Sequence, residues 1–255
     1  MRGDEAVEYN NVMKELKPIS IMLQKSLMRE IKTRQRNSTD RGLLMGNRID
    51  HTSYYRNDGK IFTKRNRPDE QMDLSVGVLV DQSGSMSGER IRMARLMAMV
   101  VYDFCRSMNI PITIYGHSCR KYHVSLYSYA EFDSIDGNDK YRLLHMYPEA
   151  TNRDGCAVRY VANKLVDRTE KTKLFIIVSD GQPNDADYCG TAAEADLRSI
   201  RKEYTRRGIT FLAVAIGSDK PAIKRCYGED AFLDITDLKM FPITIAKLIF
   251  KAALM

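Results

Sequence analysis

Cysteine is sparse and scattered: Cys105, Cys119, Cys156, Cys189 and Cys226 form no C-x-x-C pair. That spacing argues against a zinc site and a disulfide framework, and it reads as small thiols in a reducing compartment. Long apolar runs are missing too. Leu96–Tyr102 is typical of the longest, far short of the ~20 residues of a membrane span. Met1–Glu5 lacks the apolar stretch of a secretory signal. These absences point to a cytoplasmic protein with no membrane span. There is no G-x-x-x-x-G-K-[ST] loop for ATP hydrolysis and no G-x-S-x-G nucleophile elbow.

What is present suits one large domain, or one domain with an extension: 255 residues, 44% of them apolar, enough for a sizeable core. The net charge of +7 is unevenly placed. Gln24–Arg67 holds twelve basic residues against four acidic ones, so the rest of the chain is close to neutral. Such a segment reads as a solvated arm or as a surface for an acidic protein partner. Nucleic acid is disfavoured, because the tyrosines that could stack on bases, Tyr54 and Tyr55, are scattered and no nucleic-acid motif is present.

The organisation changes at residue 73. In 1–72, apolar residues from Tyr9 to Ile31 recur at three-to-four spacing and predict a helix over 5–35, kinked or divided by Pro18. Residues 36–72 read as an irregular connector in which a short strand such as Lys60–Lys64 can hide. In 73–255, Leu74–Val80 and Leu174–Val178 are apolar runs of the kind buried on both faces of a parallel sheet. Further strands are predicted at Ile112–Tyr115, Lys121–Tyr127, Ile209–Ile216 and Ala231–Ile235. Helices are predicted at Glu89–Met108, Cys156–Val166, from a capping box at Thr191–Glu194 to Gly208, and at Pro242–Leu254. The short link before Lys121 makes that strand an antiparallel edge. The expected fold is α/β and doubly wound: a mostly parallel sheet with one antiparallel edge strand, helices on both faces, and an N-terminal helical extension.

In such sheets ligands bind beyond the carboxyl ends of the strands. Asp81-Gln82-Ser83-Gly84-Ser85 follows the first central strand, and Ser179-Asp180-Gly181 follows Leu174–Val178, about 100 residues on. Thr151-Asn152-Arg153-Asp154-Gly155 precedes a helix between them. In a tight loop, Asp81, Ser83 and Ser85 can face one point, with Gly84 easing the turn. Carboxylates, hydroxyls and an amide with no soft ligand suit a hard cation: Mg²⁺, Mn²⁺ or Ca²⁺. His51, His117, His123 and His145 lie outside these motifs. His117 follows a strand, so it lies at the site edge or packs in the core.

These residues resemble the von Willebrand factor A domain with its metal-ion-dependent adhesion site, over about 73–254. The resemblance implies Mg²⁺ held directly by Ser83 and Ser85, with Asp81 and Asp180 acting largely through water and one position left for a partner's carboxylate. Asn152-x-Asp154-Gly155-x-Ala157 and Ser179-Asp180-Gly181-x-Pro183-x-Asp185 are also similar to the carboxyl-terminal domain of cobalt chelatase T subunits and to nitric-oxide-reductase activation proteins. That likeness implies a MoxR-type AAA+ ATPase partner and a client metalloprotein or chelatase subunit. The third metal ligand stays open: spacing to Gly155 favours Asn152, chemical identity favours Thr151, and Asp154 is either a ligand or a helix cap.

The expected function is therefore a non-catalytic, Mg²⁺-dependent protein-binding module that couples such an ATPase to metal-centre insertion or maturation. The alternatives are a metal-dependent hydrolase with Asp81 as nucleophile, and an RNA-associated domain using the basic arm. Against the hydrolase, the common phosphotransferase pattern has Asp-x-Asp where this chain has Ser83.

Overall fold

The computed structural model describes residues 3–37, 39–65, 73–134, 137–181, 183–217 and 220–234. The predicted helix Pro242–Leu254 and residue Ile235 lie outside these.

A six-stranded sheet organises the chain. Its strands are β4 (Leu74–Asp81), β5 (Ile112–Arg120), β6 (His123–Ala130), β7 (Thr172–Ser179), β10 (Ile209–Ala215) and β11 (Phe232–Asp234), in the order β11-β10-β7-β4-β5-β6. All neighbours run parallel except β5 and β6, so the antiparallel edge is where the short link places it. β4 is buried along its whole length, and its alternation feeds two cores. Val76, Val78 and Val80 face α2 (Glu89–Ser107), while Leu79 faces α4 (Asp154–Val166), α5 (Gly190–Arg206) and α6 (Lys220–Tyr227). Gly77 lets α4 approach closely, because a Cβ there would come within 2.8 Å of Leu165 Cδ1.

Helix α1 (Gly3–Asn37) lays Tyr9, Met13, Leu16 and Leu23 into the α2-side core. It does not divide at Pro18. That residue is on the exposed side, so the Lys14 carbonyl it leaves without an amide partner can be hydrated, and the buried stripe holds both halves on α2. Ser20 Oγ donates to Asp103 Oδ2 (2.6 Å) and Gln24 Nε2 to Ser107 Oγ (2.6 Å), stitching α1 to α2.

The connector is more ordered than its composition suggests. β1 (Thr39–Leu43), β2 (Arg48–Ile49) and β3 (Phe62–Arg65) form an antiparallel sheet in the order β1-β3-β2. These strands are short and charged, so they carry no alternation to read. β5 and β6 are longer than predicted, because Lys121 and Tyr122 both take positive φ and close a two-residue hairpin without the usual Asn or Gly. The capping box is not formed: α5 starts at Gly190 with no side-chain cap, and Glu194 is buried against Arg225 instead. The five cysteines are free; Cys105, Cys119 and Cys226 are buried, Cys156 and Cys189 exposed. Among the described residues no helix is long and apolar enough to cross a membrane. The remaining elements are α3 (Asp139–Arg142) and a small hairpin, β8 (Asn184–Asp185) with β9 (Tyr188–Cys189).

Candidate metal site at the ends of the central strands

β4 and β7 are parallel neighbours, so their carboxyl ends deliver Asp81 and Ser179-Asp180 to the same edge. Asp81 is 1% exposed and its carboxylate is fixed by three donors. Ser83 N reaches Oδ1 at 2.8 Å, while Asn152 Nδ2 and Ser179 Oγ reach Oδ2 at 3.0 and 3.1 Å. Above it the hydroxyls line up. Ser83 Oγ lies 3.0 Å from Ser85 Oγ, and Ser85 Oγ donates to Asp180 Oδ1 at 3.0 Å. Since Ser85 has one proton and spends it on Asp180, Ser83 is the donor to Ser85. Arg90 closes the rim: Nη1 donates to Asp180 Oδ2 (2.6 Å) and to the Ser85 carbonyl (2.9 Å).

The loop before α4 sends its three candidates to different partners. Asn152 bridges the site, donating to Asp81 and accepting from Asn184 N at 2.8 Å. Thr151 pairs with the Cys119 backbone, and its hydroxyl lies 2.8 Å from the Cys119 carbonyl and 3.0 Å from Asp185 Oδ1. Asp154 is the first residue of α4, whose N-cap position, Arg153, makes no side-chain cap bond; Asp154 Oδ1 lies 3.3 Å from His117 Nε2. His117 is thus a buried residue of β5 beneath the loops, not a group at the mouth.

The electrostatics are those of crowded acids. Burial pushes the Asp154 carboxyl well above the usual range, and the charges of Asp81 and Asp180 push it further. Burial also raises Asp180, with Asp81 adding to it; Ser85 and Arg90 pull the other way. Burial lowers His117, against the attraction of Asp81. The pair therefore favours neutral imidazole beside a neutral acid, and among the described residues Asp154 Oδ1 and His117 Nδ1 have no hydrogen-bond partner.

A hard divalent cation fits this donor set. Around Mg²⁺, with Mg–O of about 2.0–2.1 Å in near-octahedral geometry, adjacent ligand oxygens lie about 3 Å apart. That is the spacing along Ser83 Oγ, Ser85 Oγ and Asp180 Oδ1. Among the described residues no three His, Cys, Asp or Glu side chains cluster to hold a metal, so a thiolate or imidazole site has no candidate there.

Reading the sequence alone misses Ser179 and Arg90. Ser179 stands inside a motif but passes for a spacer. Arg90 had a signal: a cation in the first turn of a helix opposes the helix dipole and calls for a local anion, here Asp180.

Residues 75–224 match the von Willebrand factor type A domain. Protein NorD of Brucella melitensis is 26% identical over 188 residues, 68% of this chain and 29% of NorD. The uncharacterized protein YojO of Bacillus subtilis is 23% identical over 260 residues, 94% of this chain and 40% of YojO. The chain thus spans less than half the length of these relatives. Among solved structures, the D319A mutant of the PilB minor pilin from Streptococcus sanguinis superposes with a TM-score of 0.56 at 14% identity, covering 74% of this chain and 64% of that one. A von Willebrand factor type A structure from Catenulispora acidiphila gives 0.51 at 15% identity, covering 72% and 43%. At such identities these two share the fold.

Proposed function

We propose that this chain, which belongs to the von Willebrand factor type A domain family, is a Mg²⁺-dependent protein-binding module of an assembly that activates nitric oxide reductase or inserts a metal centre. The observation that carries the reading is the pair of hydroxyls on Ser83 and Ser85, 3.0 Å apart above a fixed Asp81, with Asp180 hydrogen-bonded behind Ser85. Bound Mg²⁺ supplies an electrophilic position for a carboxylate. Ser83 and Ser85 would hold it directly, with Asp81 and Asp180 acting through water. Neutral hydroxyls leave much of the metal's charge uncompensated, which favours an incoming acid. Of the loop candidates, we assign the third contact to Asn152, because its side chain reaches the Asp81 carboxylate while Thr151 is turned to Cys119 and Asp185; its amide oxygen would exchange the Asn184 amide for the metal.

The similarity to NorD supports a role in nitric oxide reductase activation. The finer reading is a cytoplasmic, non-catalytic subunit that receives an acidic side chain from a MoxR-type AAA+ ATPase and passes its conformational change to a client. Residue 83 is Ser where the common phosphotransferase pattern has a second Asp, which supports a binding role over hydrolysis with Asp81 as nucleophile.

The metal is tested by calorimetric titration of Mg²⁺. Asp81→Ala and Ser83→Ala are each expected to abolish binding with an unchanged circular dichroism spectrum, since both lie at or beyond the strand end. Unchanged affinity in both variants overturns the site. The partner is tested by co-purification with the ATPase in Mg²⁺ and in EDTA; equal recovery in both refutes metal-dependent docking.

A further inference from the structure

On the flank of the domain, α5 and α6 enclose a groove of about 410 Å³ whose charged lining is entirely cationic: Arg198, Arg201, Lys202, Arg206 and Arg225. The α5 residues recur at helical spacing and share one face. Three of the arginines are held in place. Glu194, buried at the base, takes Arg225 Nε at 3.0 and 3.2 Å and lies 3.8 Å from Arg198. Arg198 Nη1 donates to the Arg225 carbonyl at 3.2 Å, tying the two helices together. Arg201 pairs with Asp230 and crosses the backbone of Gly228, where a Cβ would come within 2.2 Å of Nη1. Lys202 and Arg206 are exposed, with no carboxylate partner among the described residues.

We propose that this groove docks an acidic segment of a partner protein, at a site separate from the metal-binding loops. Guanidinium groups already oriented by the buried Glu194 and by the surface carboxylate of Asp230 lose less freedom on binding a second carboxylate, and fork geometry suits that ligand. Neither of two long segments of the chain supplies an acidic complement. Gln24–Arg67 is basic, and residues 235–255 carry Lys239, Lys247 and Lys251 against Asp237. Protein is favoured over nucleic acid because no aromatic side chain lines the groove to stack a base. From Arg198 to Arg206 the α5 face runs about 12 Å, the reach of three or four extended residues.

The test is fluorescence anisotropy of a labelled hexaglutamate peptide titrated with the full chain, with oligothymidylate of equal charge in parallel. Lys202→Glu with Arg206→Glu, at two exposed positions, is expected to leave the circular dichroism spectrum unchanged and to weaken peptide binding by about tenfold or more. EDTA and Asp81→Ala are expected to leave it unchanged. Three results each overturn the proposal: peptide affinity indifferent to the double reversal, affinity lost in EDTA, or groove-dependent binding of oligothymidylate tighter than of peptide at the same salt.

Discussion

Arg90 places a cation 2.6 Å from Asp180, on the rim of the proposed metal site, and its side chain is 41% exposed. A like charge beside a bound divalent ion weakens the ion by Coulomb repulsion, yet the same charge attracts the partner's carboxylate. Removing it therefore moves the two affinities in opposite directions. Arg90→Ala is expected to tighten Mg²⁺ by about threefold to tenfold in calorimetry. It is expected to weaken the proposed Mg²⁺-dependent complex with an AAA+ ATPase. Loss of both affinities together would mean that Arg90 holds the loop in shape rather than tuning its charge.

Two features at the level of elements carry stability consequences. β4 and α4 approach through Gly77, where an added methyl would meet Leu165 at 2.8 Å and Val161 at 3.2 Å. Gly77→Ala overpacks this contact and is expected to cost about 1–3 kcal/mol, read from urea midpoints, without altering Mg²⁺ ligands. At the foot of the β5–β6 hairpin, Glu131 accepts from Tyr115, from Ser128 (2.8 Å) and from Lys164 (2.7 Å). Burial tends to raise its carboxyl, but the bonds from Lys164, Tyr115 and Ser128 outweigh burial and hold it below the usual range. A carboxyl depressed in the folded state stabilises the fold at a pH above its unfolded value, and that contribution is lost as pH falls through the folded one. The stability gap between the native chain and Glu131→Gln is therefore expected to shrink on acidification from neutral pH to below about 4. Because the pair is about one-third exposed, the gap at neutral pH is expected to be about 1 kcal/mol.

Across the whole molecule, positive charge lies on two regions, the Gln24–Arg67 segment and the α5–α6 groove, while the metal-site loops are rich in acids. A distributed charge acts on encounter more than on the lifetime of a complex. Reversing Arg34, Arg36 and Arg41 to Glu is expected to slow association with an acidic partner several-fold, with a smaller change in dissociation and a loss of contrast at high salt. Stopped-flow association at two ionic strengths checks this. A rate indifferent to both charge and salt would leave the segment without a steering role.

The sequence by itself determined the layered α/β fold and where the candidate site lies. A strand buried on both faces must be an unbroken apolar run, so Leu74–Val80 and Leu174–Val178 declare themselves, and the aspartates that follow them must emerge at one edge. Tertiary structure decided what adjacent side chains do there. In extended backbone, neighbours point to opposite sides, so whether Thr151 or Asn152 meets Asp81 depends on which strands that segment joins. Pairing with Cys119 on one side and Asn184 on the other settles it, at separations of about 30 residues that no local pattern encodes. Glu194 shows the same limit: its local sequence signals a helix cap, yet Arg225, brought close by α6, takes the carboxylate and makes it the base of a cationic groove.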